Sequence, residues 1–250
     1  MSILRVENLS HSFGGLKVLD NIFFTLEVGE RVALIGPNGA GKTTVINVLS
    51  GVLPCQSGRI YVLGQDITKM PPHGRAALGL ARSFQINTLF PNLSLLTNVI
   101  LAIQGVKADR FQMLRAISSY TDNFTRAKEL LDLVGLWEKR DNSVTALSHG
   151  EQREVEILLA LASQPKLLML DEPSAGLSAT ETDVFIDMMR HLVKGTTVFF
   201  CAHDMNVVFG LAERVIVLYY GRIIAQGTAE EIQKDPEVME IYLGVNKESA

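Results

Sequence analysis

Residues Gly36-Pro37-Asn38-Gly39-Ala40-Gly41-Lys42-Thr43 keep the spacing G-x-x-x-x-G-K-[ST]. They follow the apolar run Arg31–Ile35 and open a helical pattern that begins near Lys42. Glycines so placed let successive backbone N–H groups curl toward one anion, and a helix N-terminus adds its dipole. In such a run Lys42 reaches the β and γ phosphates of a nucleoside triphosphate, and the Thr43 hydroxyl ligates Mg2+. A second run, Leu167-Leu168-Met169-Leu170-Asp171-Glu172, is an apolar strand ending in two carboxylates. Asp171 at its end suits the Mg2+ shell, and Glu172 beside it can polarise an attacking water. The chemistry is the gripping and hydrolysis of a triphosphate.

Ser148-His149-Gly150-Glu151 is first a helix start: Ser148 caps the N-terminus and Glu151 reaches back to the cap's own N–H. A capped N-terminus that carries Gly150 also makes an anion site. The guanine-reading pattern Asn-Lys-x-Asp does not occur, which excludes a small GTPase.

These residues need a scaffold. Short apolar runs bounded by turn residues predict strands over Leu4–Leu9, Arg31–Ile35, Arg59–Leu63, Lys166–Leu170, Thr196–Ala202 and Val215–Tyr220. Several are apolar on both faces and therefore central. Helical periodicity predicts helices over Lys42–Leu53, Thr125–Val134, Glu151–Ala162, Ala179–Leu192 and Met205–Ala212. This alternation argues for a largely parallel α/β sheet. Tyr220-Gly221-Arg222 reads as a hairpin turn before Ile223–Gln226, and a second tail helix is expected to begin at Pro236. From about Leu89 to Leu161 the pattern is helical, so a helical lobe inserted into the α/β core is expected.

Composition sets the outer limits. The 250 residues are 47% hydrophobic and 20% charged, which supplies a sizeable core and excludes general disorder. Lys plus Arg total 23 against 27 for Asp plus Glu, and the net charge of -4 leaves no basic excess for a nucleic-acid backbone. Cys55 and Cys201 lie far apart and form no CxxC, so a reduced compartment is expected. The N-terminal run lacks the apolar core of a signal peptide. The most apolar stretch, Ile157–Leu170, is cut by Gln164, Pro165 and Lys166 and is too short for a spanning helix.

Taken together, the triphosphate loop, the Asp171-Glu172 strand and Leu147-Ser148-His149-Gly150-Glu151-Gln152 between them resemble the nucleotide-binding subunits of ABC transporters over nearly the whole chain. The Leu147–Gln152 run resembles that family's LSGGQ signature. The resemblance implies a RecA-like P-loop core, residues 1–88 and 163–250, with an N-terminal antiparallel β portion and a helical subdomain over about 89–162. It implies ATP and Mg2+ as cofactors. Phe13 would lie against adenine, although its place also suits a strand-end core residue. Gln85, in Arg82-Ser83-Phe84-Gln85, would touch Mg2+ and couple the lobe to a membrane partner. Asp171 would hold Mg2+, Glu172 would be the general base and His203 would bond the γ-phosphate. Ser174–Ser178 would form the D-loop.

In that family the loop and the signature face different ways. Each ATP would be clamped between Gly36–Thr44 of one subunit, including Thr44, and Ser148 and Gly150 of another. The sequence departs from the family pattern at His149, Glu151 and Ser178, where the family has Gly, Gln and Asp. Pro72-His73, Gly79–Gln85 and the tail Gly227–Ile232, Asp235–Val238 and Tyr242-Leu243-Gly244 look like the ATPase subunits of branched-chain amino-acid and urea/amide uptake systems. That likeness implies permease subunits, a second ATP-binding subunit (identical or related), a solute-binding protein acting indirectly, and a place on the inner face of the cell membrane. The alternatives are a soluble ABC ATPase acting on nucleic acid or ribosomes, which would carry two cassettes or a coiled coil, and a regulatory cassette without turnover. The intact Lys42, Asp171, Glu172 and His203 oppose the latter.

Overall fold

In the computed structural model, residues 1–83, 89–105 and 121–243 are described. A four-stranded antiparallel sheet of order β2-β1-β4-β5 contains β1 (Ser2–Phe13), β2 (Leu16–Glu27), β4 (Ser57–Val62) and β5 (Gln65–Asp66). A six-stranded sheet has the order β10-β9-β3-β8-β7-β6. Its members are β3 (Arg31–Ile35), β6 (Leu80–Arg82), β7 (Leu167–Asp171), β8 (Thr197–Cys201), β9 (Arg214–Tyr219) and β10 (Arg222–Gly227). All its pairings are parallel except β10 on β9.

The central strands are buried on both faces, as their unbroken apolar runs require. Val32, Leu34, Leu167, Met169, Phe199 and Ile216 point into a core shared with the antiparallel sheet and helix α1 (Lys42–Ser50). The alternate residues Ala33, Ile35, Leu168, Leu170, Val198 and Val215 point into a second core under α6 (Ala179–Leu192) and α7 (Met205–Leu211). A third apolar cluster joins α3 (Leu95–Gly105), α4 (Thr121–Leu133) and α5 (His149–Ala162). Helix α5 belongs to two cores at once: Ile157 and Leu161 pack under the sheet, Val155 and Leu158 into the helical cluster.

Differences from the sequence reading have local causes. Helix α1 stops at Ser50 rather than Leu53, because Gly51 takes a left-handed φ of 80° and ends it. The carbonyls of Val48 and Leu49 are then taken by the buried guanidinium of Arg75, which lies on α2 (Pro72–Ala77). Burial pushes that guanidinium's pKa down. Strand β2 has no counterpart among the sequence expectations. Its pairing with β1 is broken by several irregularities, and Asn21 has a φ of 56°, so side chains do not alternate cleanly along it. The Tyr220-Gly221 turn and the tail helices α8 (Ala229–Lys234) and α9 (Pro236–Leu243) stand where the sequence places them.

Candidate nucleotide site

The loop between β3 and α1 is shaped by contacts that only glycine permits. A Cβ on Gly36 would stand 2.1 Å from the carbonyl oxygen of Leu218, and one on Gly41 would stand 2.8 Å from Leu19 Cδ2 at a φ of 108°. Gly41 is the cap of α1 and supplies no side-chain cap, so among the described residues the first amides of the helix are open to an anion. Lys42 is only 6% exposed. Its Nζ donates to the carbonyls of Gly36 (2.7 Å) and Pro37 (3.1 Å), which hold it across the mouth of the loop. Burial lowers its pKa, against the pull of Asp171 and Glu172. A buried ammonium whose hydrogen-bond partners among the described residues are two neutral carbonyls is matched to an anionic ligand.

The outer wall of the loop comes from the β9–β10 hairpin. Gly221 N–H donates to Ala40 O at 3.0 Å, and Gly221 O accepts from Asp20 N–H at 2.8 Å. Neither contact is visible from the motif alone.

Asp171 ends β7 and is 3% exposed. The Thr43 hydroxyl donates to its Oδ1 at 3.4 Å, and Arg82 stands 3.6 Å from its Oδ2. Burial raises the Asp171 pKa while Arg82 opposes the rise. Arg82 is itself fixed by Asn47 Oδ1 at 2.6 Å. Glu172 follows in a left-handed conformation (φ 50°), its N–H bonded to Cys201 O at 2.9 Å. Its Oε1 lies 2.7 Å from His203 Nε2, which comes just past the end of β8. Thus Lys42, Thr43, Asp171, Glu172 and His203 meet at one end of the parallel sheet.

Among the described residues no cluster of three or more His, Cys, Asp or Glu side chains is placed to hold a metal. One hydroxyl and one carboxylate at 3.4 Å instead fit Mg2+, which retains waters and takes the rest of its ligands from phosphates.

Phe13 ends β1 half exposed, with His11 edge-on to its ring at 4.8 Å. Thr44 lies in the first turn of α1. Gln85 lies outside the described residues. Ser148 and Gly150 stand at the N-terminus of α5, and among the described residues no hydrogen bond joins them to residues 36–44. Ser148 Oγ accepts from Glu151 N–H at 3.3 Å, and Glu151 Oε2 accepts from Ser148 N–H at 2.9 Å, closing the expected capping box. The departure at Glu151 is compensated locally. Its other oxygen is paired with Lys139, which holds the carboxyl below its ordinary pKa. Ser178 has a similar explanation as the cap of α6, closing a second box with Glu181; serine and aspartate are both good caps.

A strand, a glycine loop with a buried lysine at a helix start, and a parallel strand one place removed that ends in Asp171 and is followed by Glu172 define a P-loop nucleoside triphosphatase. The chain belongs to the ABC transporter family, whose profile matches residues 19–175, and it is an ATPase of that type. A profile described as branched-chain amino acid ATP-binding cassette transporter matches residues 222–248. The chain is 36% identical over 249 residues to LivG of Escherichia coli, a high-affinity branched-chain amino acid transport ATP-binding protein, covering 97% of this chain and 98% of LivG. It is 35% identical over 247 residues to LptB of Haemophilus influenzae, a lipopolysaccharide export system ATP-binding protein, covering 98% of each. A crystallised ATP-binding cassette of an ABC transporter in its ADP conformation superposes with a TM-score of 0.86 at 30% identity, over 98% of this chain and 99% of the other.

Proposed function

We propose that this chain is the ATP-hydrolysing subunit of an importer for branched-chain amino acids or a similar small solute. Overall identity does not choose between import and export, since the LivG and LptB relatives are about equally similar. The single observation that carries the choice is the branched-chain cassette profile over residues 222–248, from β10 onward. Among the described residues no helix is long and apolar enough to cross a membrane. The likeness to ABC transport ATP-binding proteins supports separate permease subunits as the solute path, with this chain against them at the inner face.

In this reading the Gly36–Gly41 amides and Lys42 hold the phosphates, and Phe13 lies against the base. Thr43, Asp171 and Gln85 hold Mg2+, which when bound neutralises phosphate charge. Glu172 accepts a proton from the attacking water, and His203, 2.7 Å from its carboxylate, bonds the γ-phosphate. Ser148 and Gly150 act on the nucleotide of a second subunit, and the segment of about 89–162 is the lobe that carries them. Closure of the pair is driven by contacts that each γ-phosphate makes only in the closed state. Hydrolysis removes them and the pair reopens.

Vesicles containing the chain with its permeases and solute-binding protein, loaded with ATP and Mg2+, test the assignment. Labelled leucine should accumulate with the intact chain and not with Lys42→Ala. Hydrolysis stimulated by lipopolysaccharide and indifferent to leucine would overturn it.

A further inference from the structure

Helix α5 carries a buried ion pair outside every motif described above. Arg153 is 8% exposed and Glu156 6%, and Arg153 Nη1 donates to Glu156 Oε2 at 2.6 Å. The rest of the guanidinium crosses to the loop after β7. Its Nη2 donates to Glu172 O at 2.6 Å and its Nε to Pro173 O at 2.8 Å. Those carbonyls belong to the two peptide units that follow Glu172, whose left-handed φ of 50° persists only where neighbours hold it. One side chain therefore fixes the turn on which the Glu172 carboxylate stands. Arg153 lies one turn beyond Gly150 on the helix that Ser148 caps. Glu156, which clamps it, also lines a cleft of about 470 Å³ with Arg82, Ser83 and Phe90.

We propose that Arg153, held by Glu156, is a positioning residue for Glu172, and that it ties the signature end of α5 to the carboxylate serving the other nucleotide of the pair. Because Arg153 is on α5 and its guanidinium bonds the carbonyls of Glu172 and Pro173, a shift of α5 would be carried to Glu172. The proposal rests on Glu172 acting as base and on Ser148 and Gly150 facing a second subunit's ATP.

The test uses the full chain with three variants. Arg153→Met with Glu156→Leu removes both charges, so neither is left buried and unpaired. Arg153→Lys keeps the charge but lacks the planar fork that spans two carbonyls and a carboxylate. Glu172→Gln is the control. The double variant should bind ATP within about threefold of wild type while kcat falls at least about tenfold, because the interaction matters in the transition state rather than in binding. Its Hill coefficient for ATP should fall toward that of independent sites, and Arg153→Lys should be intermediate. In the nucleotide-free chain, amide exchange at Glu172 should rise by about tenfold or more, since its hydrogen bond to Cys201 O would open more often. Should the double variant not fold, the same readings on Arg153→Lys decide. Wild-type kcat and exchange in the Arg153 variants, with turnover lost in Glu172→Gln, overturn the positioning role alone. Wild-type turnover in Glu172→Gln overturns the assignment of the base and this proposal with it.

Discussion

Gly221 lies outside every phosphate motif, yet the structure makes it the hinge pin of the phosphate loop. Its φ is 75°, and a Cβ placed on it would stand 2.2 Å from Val18 O and 2.9 Å from the Val18 carbonyl carbon. In Gly221→Ala the left-handed conformation costs about 1–2 kcal/mol. The turn must also lift from Val18, which breaks or stretches the bonds from Gly221 N–H to Ala40 O and from Asp20 N–H to Gly221 O. Each is worth about 0.5–1.5 kcal/mol, so the total loss is about 2–5 kcal/mol. Gly29→Ala isolates the conformational part: Gly29 has a φ of 80°, nothing lies within 4 Å of where its Cβ would stand, and its N–H to Thr197 Oγ1 is one that alanine retains. The excess of about 1–3 kcal/mol for Gly221→Ala corresponds to a further fall in Tm of about 2–12 °C in a chain of this length. Thermal unfolding with and without ATP reads both effects. Gly221→Ala should show the larger loss and a smaller ATP-induced rise in Tm, because Ala40 loses its anchor. Equal losses in the two variants, with equal ATP-induced rises, would mean that the Val18 contact and the bond to Ala40 do not hold the loop.

Other outcomes follow from the same geometry. Lys42→Ala should abolish most of the ATP-induced rise in Tm while leaving the nucleotide-free chain folded, since its partners there are two neutral carbonyls. Arg75→Lys should lower stability by about 2–4 kcal/mol in urea unfolding, because a lysine cannot satisfy the carbonyls of Val48, Leu49, Met70 and Thr68 together. Glu151 has a folded-state pKa below its ordinary 4.5 because of Lys139. Its contribution is therefore complete above about pH 4.5 and is lost as pH falls through the lowered folded value. The stability gap between wild type and Glu151→Gln should shrink from pH 7 to pH 3, and a gap that widens would reverse the sign assigned to this pair.

Much of the site was legible because its residues are consecutive. Gly36–Thr44 and Asp171-Glu172 declare themselves through spacing, and the double-faced apolar strands beside them fix the parallel sheet. His203 was reached through family likeness, and the structure brings it to Glu172. What the sequence did not disclose depends on contacts between distant segments. The hairpin turn at Gly221 can be read from the chain, but that its tip meets Ala40 and Val18 cannot, because those segments lie far from it in sequence. Arg153 and Glu156 give only a faint signal, opposite charges three residues apart on one helix, and the polar residues Gln152 and Glu154 beside Arg153 hide that the pair is buried. Strand β2 escaped because its irregular pairing hides the two-residue period. The charge of Glu151 looks unfavourable beside a triphosphate until Lys139 is found against it.

The proposed function needs a nucleotide gripped by Gly36–Thr44 to be completed by a second polypeptide. Turnover per chain, measured at saturating Mg-ATP over about a hundred-fold range of protein concentration, tests it most directly, because association scales with concentration while a self-sufficient site does not. The rate per chain should collapse on dilution, or stay negligible until a related second subunit is added, while ATP binding persists. An undiminished rate per chain at every dilution would contradict it.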